Sequence, residues 1–206
     1  MILGWCLILL GVGVLGWVGY QYVGTNLVAE QRFSEAKDQL RQEWDQPDQS
    51  DDPGKAAKIP GRAVALLRIP RFGDDYEVPL MRGTTDDVLS SGVGIYDQAV
   101  DPGEVGNFSI AGHRITRGEP FRRLLELERG DEIIVETREA IYTYVLDLAP
   151  SELTVDASDG WVLDPVPGKT GQEPTKELLT ITTCQDLFRS PDRSVGFGHL
   201  QDVQNK

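Results

Sequence analysis

Few residues in this 206-residue chain can carry chemistry, and they stand far apart. Beyond an apolar N-terminal segment there are two histidines, His113 and His199, and one cysteine, Cys184. Two arginines, Arg189 and Arg193, follow the cysteine closely. A cysteine nucleophile needs a proton donor for the leaving group, and a positive charge or amides where an oxyanion develops. The chain offers a candidate for each of these roles.

Other chemistries fit the sequence poorly. Zinc requires three or four Cys, His or carboxylate ligands, and no CxxC, HxxH or HExxH spacing occurs. A phosphate-binding loop ending in Lys and the GxSxG motif of serine hydrolases are also missing. The net charge is -13 without a Lys or Arg cluster, which argues against nucleic acid as a partner. We therefore expect no metal and no nucleic acid.

The N-terminal segment, residues 1–24, contains no charged side chain, and the first charge in the chain is Glu30. Since about 20 apolar residues span a bilayer as a helix, we expect a transmembrane anchor over residues 1–24. Trp17, Tyr20 and Tyr22 suit the membrane interface near its end. A cleaved signal peptide is the alternative, but no Lys or Arg precedes the apolar run and no small-x-small cleavage site follows it.

Residues 25–60 have the composition of a connection between the anchor and a folded domain. Leu27, Phe33, Ala36 and Leu40 recur at roughly helical intervals, which predicts a stalk helix that continues the anchor. The segment that follows is rich in Asp, Pro, Gly and Ser and has almost no large apolar residue. That composition is typical of a flexible linker.

Residues 61–206 form the predicted catalytic domain, in which short strand-favouring runs alternate with turn signals. The pattern predicts an all-β domain, closed or nearly closed into a barrel. Two stretches between the strands, TTDDVLSSG and EPFRRLLEL, favour short helical turns. The predicted strands are AVALLRI, EVPLM, NFSIA, EIIVET, IYTYVLDL, ELLTITT and SVGFGHL.

Two of these strands end at the candidate catalytic residues. His113 comes just after the apolar strand NFSIA, and Cys184 directly follows the Thr-rich strand ELLTITT. Each residue also has a plain structural explanation, because a lone histidine is often a surface or core residue and free cysteine is often buried. The residues alone leave both alternatives open.

The combination resembles the sortase family. AGH follows an apolar strand, TITTC comes about seventy residues later, and Arg193 begins the last strand. The family's TLxTC box corresponds here to residues 180–184, and the resemblance extends from about Ala63 to His199. It implies the closed eight-stranded β-barrel of sortases, with short helices, preceded by the N-terminal transmembrane helix.

By this resemblance Cys184 is the nucleophile and His113 is the general acid and base. Arg193 positions the substrate and steadies the oxyanion, while Ala111 and Thr183 line the peptide groove. We expect Arg193, and not Arg189, to supply the positive charge, because Arg193 directly precedes the apolar strand SVGFGHL. 

Two further residues receive expectations. His199, near the far end of the same strand, is expected to be structural or on the surface. The amide of Gln185, which follows the cysteine, could donate to the oxyanion.

The family implies a reaction and partners. Sortases cleave a C-terminal LPxTG-type sorting signal between Thr and Gly, hold the surface protein as a thioacyl enzyme, and transfer it to a peptidoglycan precursor amine. The resemblance implies that this chemistry uses no cofactor. The barrel is expected outside the cell membrane, with the N terminus in the cytoplasm. The stretches LRIPRFG and PVPGKTGQEPTKELLTITTC are most similar to class E sortases of Gram-positive actinobacteria, which are associated with LAxTG signals.

Some residues depart from the class patterns. Gln185 and Asp186 replace the His-Pro that often follows the cysteine in class E. Asp52 and Pro53 lack the aromatic residue that completes the lid motif of pilus-building sortases, which favours a housekeeping enzyme. 

Two rival interpretations remain at this stage. An L,D-transpeptidase also uses Cys and His, but its pattern puts a His and Gly just before the Cys, whereas His113 lies far upstream. A membrane-tethered β-barrel binding module with a structural Cys184 is the rival from another functional class.

Overall fold

The computed structural model describes residues 2–20, 24–46, 61–184 and 192–206. Within these residues the α-helices are α1 (Ile2–Gly19), α2 (Thr25–Asp45) and α3 (Asp86–Leu89). Short 3-10 helices cover Pro70–Phe72, Leu124–Glu126 and Gly160–Leu163. The strands are β1 (Ala63–Arg68), β2 (Glu77–Arg82), β3 (Val93–Ile95), β4 (Gly106–Gly112), β5 (Glu132–Glu136), β6 (Ala140–Leu148), β7 (Thr154–Asp156), β8 (Glu177–Cys184) and β9 (Asp192–Asn205).

Eight of the strands close into a barrel in the order β6-β5-β1-β2-β3-β4-β8-β9, with β9 pairing back to β6. The pairs β2–β3 and β4–β8 are parallel, and the other neighbours are antiparallel. The long strand β9 also pairs with β7 near its start. The predicted all-β, closed eight-stranded barrel is therefore confirmed.

The barrel interior is filled by apolar side chains from every wall. Leu67, Leu80, Phe108, Ile133 and Ile181 have no exposed surface. The ring of Phe108 stacks on Tyr144 with 5.9 Å between the ring centres. Burial of this apolar surface supplies the main driving force for closing the barrel.

All seven predicted strands are present, and the structure adds two that the sequence pattern did not reveal. These are β3 (Val93–Ile95) and β7 (Thr154–Asp156), each of three residues. A three-residue strand is too short to show an alternation of apolar and polar positions. The predicted short helix in TTDDVLSSG is α3, whose first turn is capped by the Thr85 hydroxyl.

Helix α2 was expected as a stalk, but the structure packs it against the barrel. Its buried residues Ala29, Phe33 and Leu40 lie on one stripe of the helix, and Ala29 and Phe33 join the barrel core. At its C-terminal half, the Arg41 guanidinium contacts the Glu77 carboxylate at 2.8 Å. The stripe predicted the helix correctly, but burial on the barrel depends on tertiary contacts that the stripe alone does not specify. The predicted linker lies mostly outside the described residues.

Helix α1 is apolar, and its side chains from Gly4 to Gly19 are exposed. Over the described part of the chain, we find no helix whose length and apolar character together suffice to cross a membrane. The anchor over residues 1–24 stays a prediction.

Candidate active site

Strand pairing brings the three predicted catalytic residues to one level of the barrel. Strands β4 and β8 run parallel in continuous register up to the pair Gly112 and Thr183. The residues that come next after this pair are His113, following β4, and Cys184, the last residue of β8. On the other side of β8, the backbone of Cys184 pairs directly with Arg193 of β9. His113 lies 71 positions before Cys184 in the sequence and Arg193 lies 9 positions after it. The fold makes both of them neighbours of the cysteine on adjacent strands.

His113 stands where β4 ends, and its side chain is half-buried. Its carbonyl oxygen accepts a hydrogen bond from the Phe121 amide at 2.9 Å, which fixes the start of the loop. Its Nε2 atom is buried, and no group among the described residues forms a hydrogen bond with it. A ring nitrogen that the surrounding fold leaves unbonded is available for proton transfer.

Burial lowers the pKa of the His113 imidazole, because the protein interior solvates the charged form poorly. The nearby Arg117 guanidinium lowers this pKa further, while the Asp86 carboxylate opposes the shift. Burial and the Arg117 charge outweigh Asp86, so they favour a neutral imidazole at neutral pH. The neutral imidazole is the form that accepts a proton.

Arg193 is held between two strands. Its backbone pairs with Cys184 on β8 and with Val155 on β7, and its half-buried guanidinium donates to the Asp192 carbonyl at 3.1 Å. Hydrogen bonds from Ser158, together with the positive charge of Arg193, hold the pKa of the Asp156 carboxyl below its usual value. The structure thus supplies a cation at the backbone level of the cysteine.

The two predicted groove residues lie on opposite faces of the sheet. Thr183 is buried, and its hydroxyl donates to the Gly112 carbonyl at 2.8 Å. By alternation Thr183 shares the inner face with Ile181, whereas Ala111 lies on the face opposite to the core residue Ile110. The structure therefore does not bring Ala111 and Thr183 together on one face, and their groove roles stay predictions.

Two residues beside Ala111 were missed by the sequence analysis. Thr182 pairs in register with Ala111, and its hydroxyl donates to the Ile110 carbonyl at 3.3 Å. The Tyr96 hydroxyl lies 3.1 Å from the Thr182 hydroxyl oxygen. The alternation within TITTC could have assigned Thr182 to the face of Ala111. No sequence signal could have found Tyr96, because it follows the unrecognised strand β3.

The long loop before β8 covers the outer face of the same strands. The buried Asn107 side chain donates to the carbonyls of Val162 and Asp164, at 3.2 and 3.0 Å. Its own carbonyl oxygen accepts from the Thr180 hydroxyl at 2.8 Å. In the same loop, Trp161 packs beside Phe197. The loop is therefore a fixed layer over β4 and β8.

Several other predictions have a simpler outcome. His199 forms an exposed pair with Asp147, with 2.8 Å between Nδ1 and the carboxylate oxygen. Gln185, Arg189, Asp52 and Pro53 lie outside the described residues. In the described ranges, no group of three or more His, Cys, Asp or Glu residues could hold a metal ion.

A sortase domain model matches residues 67–201, which span β1 to β9 and include all three predicted catalytic residues. The chain belongs to the sortase family. Sortases are cysteine transpeptidases, so the family favours a sortase over both the L,D-transpeptidase and the binding module. 

Two kinds of relative support the expected class. Sortase SrtE1 of Streptomyces coelicolor is 36% identical over 197 residues, which cover 92% of this chain and 54% of the relative. This sortase thus spans about half the length of that relative. The solved structure of sortase E from Streptomyces avermitilis is 36% identical with a TM-score of 0.64, covering 71% of this chain and 93% of that one.

The Streptomyces coelicolor enzyme has also been solved with a peptide. The structure of Sortase E1 from Streptomyces coelicolor with a tripeptide in its active site is 35% identical, with a TM-score of 0.62. It covers 72% of this chain and 94% of its own. The expected resemblance to class E sortases is confirmed.

Proposed function

We propose that this sortase is a membrane-anchored transpeptidase that cleaves LAxTG or LPxTG sorting signals between Thr and Gly. The observation that carries the proposal is the strand register in which His113, Cys184 and Arg193 follow one another across β4, β8 and β9. A nucleophile, an acid-base group and a cation on adjacent strands are the parts that acyl transfer through a thioester requires.

The first half of the proposed reaction forms the acyl enzyme. The neutral His113 imidazole takes the proton of the Cys184 thiol, and the resulting thiolate attacks the Thr carbonyl carbon. The carbonyl electrons move onto oxygen, where the Arg193 charge stabilises the oxyanion. When the oxyanion collapses, the Thr–Gly bond breaks and protonated His113 gives its proton to the departing Gly nitrogen. The products are a thioester on Cys184, a neutral imidazole and a free glycine amine.

The second half transfers the acyl group to an amine. The amine of a peptidoglycan precursor attacks the thioester carbonyl, and the neutral His113 imidazole takes its proton. Collapse of the second tetrahedral intermediate expels the Cys184 thiolate and leaves a new amide bond. Protonated His113 then returns its proton to the thiolate, which restores the starting enzyme. The lowered pKa of His113 suits this step, because it keeps the imidazole in its basic form.

We assign the predicted groove residues different parts in substrate binding. Ala111 is buried on the outer face beside Thr182, and we assign its short side chain to the wall of the peptide groove. Thr183 acts through the bond of its hydroxyl to Gly112, which ties β4 to β8 immediately before His113 and Cys184. A peptide as substrate is also supported by the tripeptide in the active site of the related Sortase E1.

The proposed location is the cell membrane, with a single span, the N terminus in the cytoplasm and the barrel outside. The charge-free segment of residues 1–24 supports the span, and exposed apolar residues such as Trp5, Leu9 and Leu15 line the helix within it. The proposed substrates, surface proteins and a cell-wall precursor, would be met on the outer side.

The experiment that tests the function uses the full chain in detergent with LAxTG and LPxTG peptides and an amine acceptor. Mass spectrometry reads the products, and Cys184→Ala is the matched control. We expect cleavage between Thr and Gly with the acceptor joined to Thr, and no product from the variant. Absence of cleavage of both peptides by the wild-type protein, or equal cleavage by Cys184→Ala, would refute the proposal.

A further inference from the structure

The loop that leaves His113 contains an unusual turn. Three consecutive residues have positive φ angles: Arg117 at 58°, Gly118 at 82° and Glu119 at 46°. Glycine adopts this conformation readily, but Arg117 and Glu119 carry a Cβ atom that makes it unfavourable. Such backbone persists only where surrounding contacts impose it. 

Helix α2 supplies those contacts. The Asn26 side-chain oxygen accepts a hydrogen bond from the Gly118 amide at 2.9 Å, and its nitrogen donates to the Glu119 carboxylate at 2.6 Å. Phe33 and Ala29 of the same helix pack directly on Gly118, where an added Cβ would come within 2.7 Å of the Phe33 ring. One amide side chain thus satisfies a donor and an acceptor of a turn 92 residues away.

The same turn determines what surrounds His113. The Arg117 guanidinium donates to the Asp86 carbonyl at 3.1 Å and lies 3.5 Å from the Asp86 carboxylate. Arg117, from the loop itself, and Asp86, from α3, are the charged groups that act on the imidazole. Beyond the turn, the Phe121 amide donates to the His113 carbonyl, which ties the end of the loop back to the histidine.

We infer that Asn26 is a positioning residue for His113, and that α2 is part of the catalytic unit and not only a connection to the membrane. Asn26 fixes the turn at residues 117–119. This turn then positions the His113 imidazole and places the Arg117 charge near the imidazole. The inference rests on the proposed function, because it takes His113 as the acid-base group of that reaction.

The first test measures the imidazole directly. The full chain has two histidines, so a His199→Gln background leaves His113 as the single imidazole to follow by NMR through a pH titration. In Asn26→Ala we expect the pKa of His113 to rise toward the ordinary value. The turn relaxes, so the imidazole is less buried and the Arg117 charge acts on it more weakly. The matched control is Arg41→Ala, which breaks another contact of α2 with the barrel, about 22 Å further along the helix at 1.5 Å per residue. It should leave the pKa unchanged.

The second test exchanges the hydrogen-bonding partners. Asn26→Asp sets a carboxylate against the Glu119 carboxylate, and we expect kcat of peptide transfer to fall about tenfold with KM unchanged, a typical coupling for groups in contact. Adding Glu119→Gln to this variant restores a donor opposite an acceptor and keeps the total charge of the native pair. The double variant should recover to within about threefold of the wild-type kcat and restore the native His113 pKa.

The outcomes separate this inference from the proposed function. A shift of the His113 pKa in Asn26→Ala, together with rescue of the pKa in the exchanged pair, supports the positioning role even if the wild-type protein transfers no peptide. An unchanged pKa in Asn26→Ala, or an exchanged pair no better than Asn26→Asp alone, overturns it. If Asn26→Ala does not fold, the exchanged pair decides the question by itself.

Discussion

The parallel pair β4–β8 and the antiparallel pair β5–β6 belong to one barrel but are built differently. Every residue of β4 is buried, and β8 is buried from Leu179 to Thr183. In β5 and β6 buried residues such as Ile133, Val135 and Tyr144 are separated by partly exposed ones. One pair is therefore covered on both faces, and the other is covered on its inner face alone.

This difference explains why the candidate chemistry lies on the parallel pair. Most buried polar groups of this pair are hydrogen-bonded: Asn107, Thr180, Thr182 and Thr183 have partners. The Ser109 hydroxyl is the exception, since no described group bonds to it. These bonds fix the two strands that lead to His113 and Cys184. The outer face of β5 and β6 instead lines an open groove, to which Ile134, Ile141 and Thr143 contribute. Rigid support of the reacting groups is what catalysis requires.

The largest expected effect separates the two histidines. We expect His113→Gln to lower the rate of peptide transfer by about 10²–10⁴-fold, because the acid-base group is lost. His199→Gln, on the strand that faces β6, should stay within about twofold of wild type, since its pair with Asp147 is exposed. Rates with the preferred peptide and an amine acceptor measure both. Equal losses of transfer rate in the two variants would contradict the assignment of the chemistry to the β4–β8 side of the barrel.

The next effect concerns the cation. Arg193→Ala should lower kcat by about 10²–10³-fold, the usual result of removing an oxyanion donor. Arg193→Lys should recover part of this loss, because it keeps the charge without the planar guanidinium. Arg129→Ala, which removes an exposed pair with Glu152 just before β5, is the control and should leave kcat unchanged. A fully active Arg193→Ala would remove the residue from the mechanism.

A stability measurement compares the two pairs without reference to activity. Thr180→Val should lower the free energy of unfolding by about 1–2 kcal/mol, because the buried Asn107 oxygen loses its donor. Thr143→Val, on the partly exposed face of β6, should change it by less than about 0.5 kcal/mol. Urea unfolding followed by circular dichroism measures both, and a similar cost at the two sites would contradict the contrast in polar burial.

The smallest effect depends on pH. The folded state lowers the pKa of His113, so protonation opposes folding as the pH falls below the imidazole's ordinary pKa of about 6.5. The wild-type protein should therefore lose stability toward acidic pH through this group, while His113→Gln should not. We expect the stability of the variant relative to wild type to rise between pH 7.5 and 5. Thermal unfolding at several pH values tests this, and parallel curves would exclude the shift.

The sequence predicted the parts of the fold that depend on local pattern. Seven strands follow from apolar runs and turn signals. The catalytic roles of His113, Cys184 and Arg193 come from the family motif and stay predictions. What escaped prediction depends on tertiary contacts. The strand β3 is too short to show a period, Tyr96 meets Thr182 from 86 positions away, and burial of α2 needs the barrel surface that receives it.

The docking of α2 also limits where the enzyme can work. Five residues, 20–24, separate the end of α1 at Gly19 from the start of α2 at Thr25, and five residues reach at most about 18 Å. With α1 in the bilayer as proposed, no long flexible linker separates the membrane from α2, so the barrel stays close to the membrane surface. Its search for partners is then a two-dimensional diffusion along the membrane surface. Encounter rates would depend on how many sorting signals and acceptors share that surface layer, and a protein that has moved outward would be out of reach.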